Sequence, residues 1–275
     1  MRGRVIGQRL VLSVLDCYNP CVITSPSNAK IKMVRRLLAE RRTREREQAY
    51  VIEGSRWLAE LPAFNLTPHF LLYTNQWHHT AAHQALLARL AAPAYEIDAR
   101  LLAEISGTET PAGILAVIPI KTKPLPDNPT LLLILDRLGD PGNLGTILRT
   151  AAAAGVEGIL LSPGCVDAYN PKVVRGSMGA HLRLPIHALT WAEIGARVRG
   201  LAVYLADAQG TVSYDQANWR RPCALIIGSE AEGAGTEAMQ LATTRVYIPM
   251  HAATESLNAA VSAGILLFEA ARQRR

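Results

Sequence analysis

The stretch that most constrains this chain is Leu131–Leu135, an unbroken apolar run that stops at Asp136. A loop with Gly139, Pro141, Gly142 and Gly145 follows, and then Ile147, Leu148, Ala151 and Ala152 recur at helical spacing. This pattern predicts a buried strand, a turn and a helix. In α/β folds the loops at such strand ends host ligands, because the amides that open a helix are unpaired and can face a bound group. Asn143 and Arg149, on or just after the loop, are the first candidates for chemistry. Ordinary roles are open to both: Asn143 can cap the helix and Arg149 can sit in solvent.

The same grammar repeats downstream. Apolar runs at 158–161, 202–206, 224–227 and 245–248 alternate with helical segments near 145–154, 171–178, 191–199, 235–242 and 257–272. Strands alternating with helices predict an α/β domain over residues 131–275 with a mostly parallel sheet covered on both faces. Residues 120–130 contain Pro124, Pro126 and Pro129 and read as a stiff linker. Before it, residues 23–119 mix helices with strands near 50–52, 69–73 and 113–118, which predicts a smaller α/β domain. Residues 1–22 form a leader without assignment.

A chain of 275 residues has room for both domains, and 49% hydrophobic with 19% charged residues excludes a disordered polymer. No stretch reaches transmembrane length. Cys17, Cys21, Cys165 and Cys223 fit neither a zinc site nor a disulfide framework, as expected for a reducing cytoplasm, and the histidines form no ligand set, so no metal is expected.

The net charge of +6 is concentrated. Between Lys30 and Glu47 stand Lys30, Lys32, Arg35, Arg36, Arg41, Arg42, Arg44 and Arg46 against Glu40, Glu45 and Glu47. Ile31, Val34 and Leu38 underlie them at helical spacing, predicting an amphipathic helix with a basic face. That face suits a phosphate backbone, or equally a solvated surface with pairs such as Arg41 and Glu45. Aromatic residues make up only 5% of the chain, which argues against broad base stacking.

Two further strand-end loops carry polar residues that a core does not need. Ile227-Gly-Ser-Glu-Ala-Glu-Gly233 frames Glu230 and Glu232 with glycines; the acids could also serve the next helix dipole. The loop from Ile248 to Asn258 holds Ser256 and Asn258, which could be simple caps. Neither a GxGxxG dinucleotide fingerprint nor a phosphate loop ending in GK[ST] occurs at residues 139–149.

In order, NLGTILRTAAAAGVEGILL (143–161), YNPKVVRGSMGA (169–180), IIGSEAEG (226–233) and IPM…ESLNAAVSAGILLFE (248–269) resemble the signature set of the SpoU, or TrmH, family of RNA ribose 2′-O-methyltransferases in the SPOUT superfamily. Residues 23–54 resemble the opening of the RNA substrate-binding domain often fused ahead of it. The resemblance implies a C-terminal trefoil knot, an exception to un-knotted topology. It also implies a homodimer and S-adenosylmethionine as cofactor. It places Gly228, Ile248 and Leu257, with Ile227 and Met250, around the cofactor, Arg149 beside the reacting hydroxyl, and Asn143, Glu230, Ser256 and Asn258 around the ribose and cofactor. Candidate RNA contacts are Lys30, Lys32, Arg35, Arg36, Arg41, Lys172 and Arg175. Because a guanidinium keeps its proton at ordinary pH, Arg149 is read as a phosphate anchor and stabiliser of the developing alkoxide, not as a base.

The chain departs from the family pattern at Ser229, where many relatives carry Asn, at His251-Ala252-Ala253, where they carry a glycine, and at Ala259. The fused domain leans toward ribosomal over transfer RNA as substrate. Two other classes stay in view: a catalytically silent RNA-binding protein of the same fold, and an α/β enzyme acting on a small molecule.

Overall fold

The computed structural model describes residues 22–230, 232–251 and 256–275; the leader with Cys17 and Cys21, and Ala252 and Ala253, lie outside the described residues. The first part of the chain runs through α1 (Ala29–Ala39), α2 (Arg41–Glu47), β1 (Ala49–Glu53), α3 (Ser55–Glu60), β2 (Phe70–Tyr73), α4 (Asn75–His78), α5 (Ala81–Leu90), β3 (Ala94–Glu96), α6 (Ala99–Ile105) and β4 (Ile114–Pro119). The strands form a mixed sheet in the order β1-β4-β2-β3, with only the β2–β3 pair parallel. One face packs on α1 and α6 through Val51, Phe70, Leu72, Leu115 and Val117.

The basic segment is two helices, not the single one expected. Glu40 is extended (φ −114°, ψ 117°) and breaks it. The break lets Arg44 turn inward: its Nη1 donates to the Leu37 carbonyl at 2.6 Å, near the open end of α1, and its Nε to Asp167 Oδ2 at 2.7 Å. Arg44 is 3% exposed, so this cation joins the domains and is not part of a solvent face.

The second part contains β5 (Leu131–Leu135), α7 (Pro141–Ala154), β6 (Gly158–Leu161), α8 (Pro171–Ser177), β7 (Ile186–Ala188), α9 (Trp191–Arg197), β8 (Ala202–Ala206), β9 (Val212–Ser213), β10 (Cys223–Ile227), α10 (Thr236–Leu241), β11 (Thr244–Tyr247) and α11 (Ala259–Gln273). All its strand pairs are parallel, in the order β7-β6-β5-β10-β8-β11-β9. The central strands β5 and β10 are buried along their whole length, which is why they read as unbroken apolar runs. Alternate residues serve opposite faces: Leu131, Leu133 and Leu135 pack with residues of α7 and α11, whereas Leu132 and Ile134 pack with residues of α9 and α10.

Residues 120–130 have no regular secondary structure, yet they are tied down. Leu125 packs on the second sheet, and His187 Nε2 lies 2.8 Å from the Lys123 carbonyl oxygen. At the junction, Tyr50, Trp57, Tyr169 and His181 cluster, with ring centroids 5.0 Å apart for Tyr50 and Tyr169 and 5.3 Å for Tyr169 and His181. His181 is buried between Ser177 Oγ (2.8 Å) and the Ala168 carbonyl (2.7 Å), and burial pushes its pKa down to about 4. No helix among the described residues is long and apolar enough to cross a membrane.

Candidate active site

The site is assembled at the carboxyl ends of β5, β8, β10 and β11, where a parallel sheet leaves its loops open. Helix α7 starts earlier than expected, at Pro141, because Asp140 caps it: Oδ1 accepts the Asn143 amide at 2.7 Å, and proline at the first position costs no hydrogen bond. Asn143 is therefore not the cap, and its side chain bonds elsewhere. Its Nδ2 donates to Glu230 Oε1, and its Oδ1 accepts from Asn258 Nδ2 at 3.0 Å. Asn258 does cap α11, taking the amides of Ala260 at 2.9 Å and Val261 at 3.3 Å on Oδ1, while its other end reaches Asn143. Three loops far apart in sequence thus meet in one polar chain whose two amides are each oriented by partners on both ends.

Beside this chain lies a cavity of about 490 Å³, in the range that holds cofactor-sized ligands. Ile227, Gly228, Glu230, Ile248, Met250, Ser256 and Leu257 all line it. The lining joins apolar side chains to backbone and a few polar groups, which suits an adenosine attached to a polar tail. Gly228 is required by proximity: a Cβ there would stand 2.6 Å from the backbone of Gly233 and Ala234. The loop closes on itself through Ser229 N to Gly233 O and Gly233 N to Ser229 O, both 3.0 Å.

Sequence reasoning missed several residues of the lining, Met239 and Arg245 among them. Asp207 and Gln209, just past β8, form the far wall, with Asp207 Oδ2 accepting from Arg245 Nε at 2.8 Å. The signal was present: an apolar run ending at an aspartate, as at Asp136. Asp136 itself is fully buried, and it anchors the cofactor-side loop. Its Oδ1 accepts from Ser162 Oγ at 3.0 Å and its Oδ2 from the Gly235 amide at 2.7 Å.

Arg149 is not brought into the polar chain. It lies six residues beyond Asn143, roughly 120° around α7 and about 9 Å along it, exposed to solvent. Lys172 does approach: a Cβ built on Gly142 would lie 3.7 Å from its Cε. That approach follows from backbone contact between α7 and α8, since a Cβ on Gly145 would meet Gly176 Cα at 3.0 Å. Arg175, next along α8, faces the crevice between the domains with Trp57 and Glu53. In the first domain Lys30 lies over the Tyr95 ring at 4.1 Å, and Lys32 is exposed. Arg35, Arg36 and Arg41 each meet a carboxylate, of Glu104, Glu40 and Glu45, at 3.2, 3.6 and 2.7 Å.

Residues 130–268 match the model of the SpoU rRNA methylase family. The chain belongs to that family. Residues 28–116 of this SpoU-family protein also match an MRM3-like substrate-binding domain. It is 35% identical to an uncharacterized tRNA/rRNA methyltransferase of Synechocystis, over 92% of this chain and 94% of that one. It is 34% identical to a 23S rRNA guanosine 2′-O-methyltransferase of Bacillus subtilis, over 63% and 71% of the two chains. The SpoU methyltransferase AviRb from Streptomyces viridochromogenes, solved in complex with AdoMet, superposes with a TM-score of 0.84 at 28% identity, covering 90% of this chain and 98% of that one.

Proposed function

We propose that this SpoU-family protein transfers a methyl group from S-adenosylmethionine to a ribose 2′-hydroxyl of RNA, with ribosomal RNA as the substrate. The observation that carries the reading is the Asn143–Glu230–Asn258 chain at the edge of a cofactor-sized cavity, in a family named for rRNA methylation. Residues 131–275 are the methyltransferase domain and 23–119 the RNA-binding domain, joined by 120–130. Bound in the cavity, S-adenosylmethionine supplies an electrophilic methyl group on a sulfonium sulfur. The chain's own residues align the nucleophile. Asn143 and Asn258, fixed by Glu230 and by the α11 amides, orient the ribose, and Ser256 closes the same rim. Lys172 holds an adjoining phosphate. Arg149 anchors a phosphate and steadies the alkoxide as it forms, while a phosphate or water takes the proton.

Because Arg149 stands apart from Asn143 within one chain, the reading places it in a site completed by a second copy. An exposed apolar stripe on α11 supports such a homodimer: Val261 is 50% and Phe268 48% exposed, one heptad apart on one face. Ile248, Met250, Ser256 and Leu257 line the cavity together with residues of the loops after β8 and β10, and the C-terminal part of the chain is taken to carry the trefoil knot. The free thiols Cys165 and Cys223 suit work in the cytoplasm. The decisive test maps ribose methylation in total RNA with and without the gene. One ribosomal site should vanish; loss of a transfer RNA site instead would overturn the substrate, and loss of none would overturn the activity.

A further inference from the structure

At the edge of the parallel sheet opposite the active site, residues 215–221 and the end of α11 enclose an open groove of about 590 Å³. Its place is set by backbone bonds at the amino ends of the strands, from Ala202 N to Pro222 O at 3.1 Å and from Cys223 N to Thr130 O at 2.9 Å. Arg220, Arg221 and Arg272 line the groove, Arg274 braces it through the carbonyls of Trp219 and Thr130, both at 2.7 Å, and Arg199 stands on the adjoining turn. Among the described residues Arg272 pairs with Glu269, but Arg199, Arg220, Arg221 and Arg274 pair with no carboxylate. The one acid in the lining, Asp215, takes a hydrogen bond from Ser213. In the basic segment, by comparison, Arg35, Arg36, Arg41, Arg44 and Arg46 each meet a carboxylate.

Clustered guanidinium groups that outnumber the carboxylates beside them are a site for phosphodiesters, which they bind by charge and by fork geometry. We propose that this groove binds the RNA backbone at a point remote from the modified nucleotide. The inference rests on the RNA-substrate reading above. Helix α11 runs from Asn258 at the active site to Gln273 in the groove, a span of about 22 Å. An RNA that touches both ends must wrap the domain, so the preferred substrate is a folded RNA and not a short hairpin.

The test measures binding of deproteinised large-subunit rRNA by the full chain across a salt series. Arg220→Glu with Arg221→Glu should weaken binding about tenfold and lower the slope of log K against log salt by about 1.5, the loss of two phosphate contacts. A second variant, Arg199→Glu with Arg221→Glu, removes no side-chain hydrogen bond seen among the described residues and should act alike. Added negative charge away from the groove, by Ala192→Glu with Gln240→Glu at exposed positions on α9 and α10, is the control. Unchanged slope, an equal effect in the control, or a changed oligomeric state with unchanged RNA affinity overturns the proposal. These outcomes are independent of methyl transfer: a groove that binds rRNA in a protein that methylates no RNA would sink the functional reading and leave this one standing.

Discussion

Asn143 shows what one residue can owe to its neighbours. Had Asp140 not taken the helix amide, the Asn143 side chain would have been spent on the cap, as an Asn near a helix start often is. With that amide satisfied, it links Glu230 to Asn258. Asn143→Ala should therefore reduce methyl transfer at least a hundredfold and leave S-adenosylmethionine affinity nearly unchanged, as read by single-turnover assay and calorimetry. Gly228→Ala should do the reverse first, lowering cofactor affinity at least tenfold, since its methyl would strike the Gly233–Ala234 backbone. His181 gives a pH signature. Its folded pKa, about 4, lies below the unfolded value, so the folded state resists the proton that the unfolded chain accepts. Stability is full above about pH 6.5 and falls as pH drops toward 4, by on the order of 3 kcal/mol in all. Urea unfolding at pH 7 and pH 4.5 should show that loss, and His181→Asn should flatten it.

Between elements, glycine-to-glycine contact of α7 with α8 and the inward turn of Arg44 carry information that no periodicity displays. The helical and strand patterns were readable in most segments because burial on one or both faces leaves a period in the sequence. β3, β7 and β9 escaped because each is only two or three residues long, and α7 was read as starting late because its capped first turn is built from proline and glycine. The basic segment looked like one helix with a charged face; Glu40 splits it, and Arg44 leaves the surface. Breaking the buried Arg44–Asp167 pair by Arg44→Met should cost about 3 kcal/mol, since it strands the carboxylate and two carbonyls of α1. Exposed pairs such as Arg41–Glu45 should matter little, within about 0.5 kcal/mol, so a phosphate can displace them. Denaturant midpoints of Arg44→Met and Arg41→Met decide this.

For the whole molecule, the domains are locked and not loosely tethered. Linker residue Leu125 packs into the second sheet, and the aromatic cluster with Arg44 closes the junction. The basic helices and Lys172 are thereby held at fixed spacing from the Asn143–Glu230–Asn258 chain. Assembly should matter as much. Val261→Glu with Phe268→Glu is expected to yield monomers by light scattering that still bind S-adenosylmethionine yet transfer no methyl group; an active monomer would mean that Arg149 works within its own chain.

The sequence alone determined the α/β alternation, the family and the polar loops that meet around the cavity, because these depend on local pattern and on short motifs whose residues are adjacent. The cap that frees Asn143, the burial of Arg44, the Asp136 anchor and the separation of Arg149 from Asn143 were decided by tertiary structure. Each depends on which distant carbonyl, amide or carboxylate a side chain meets once the sheet has formed, and that meeting has no period in the sequence.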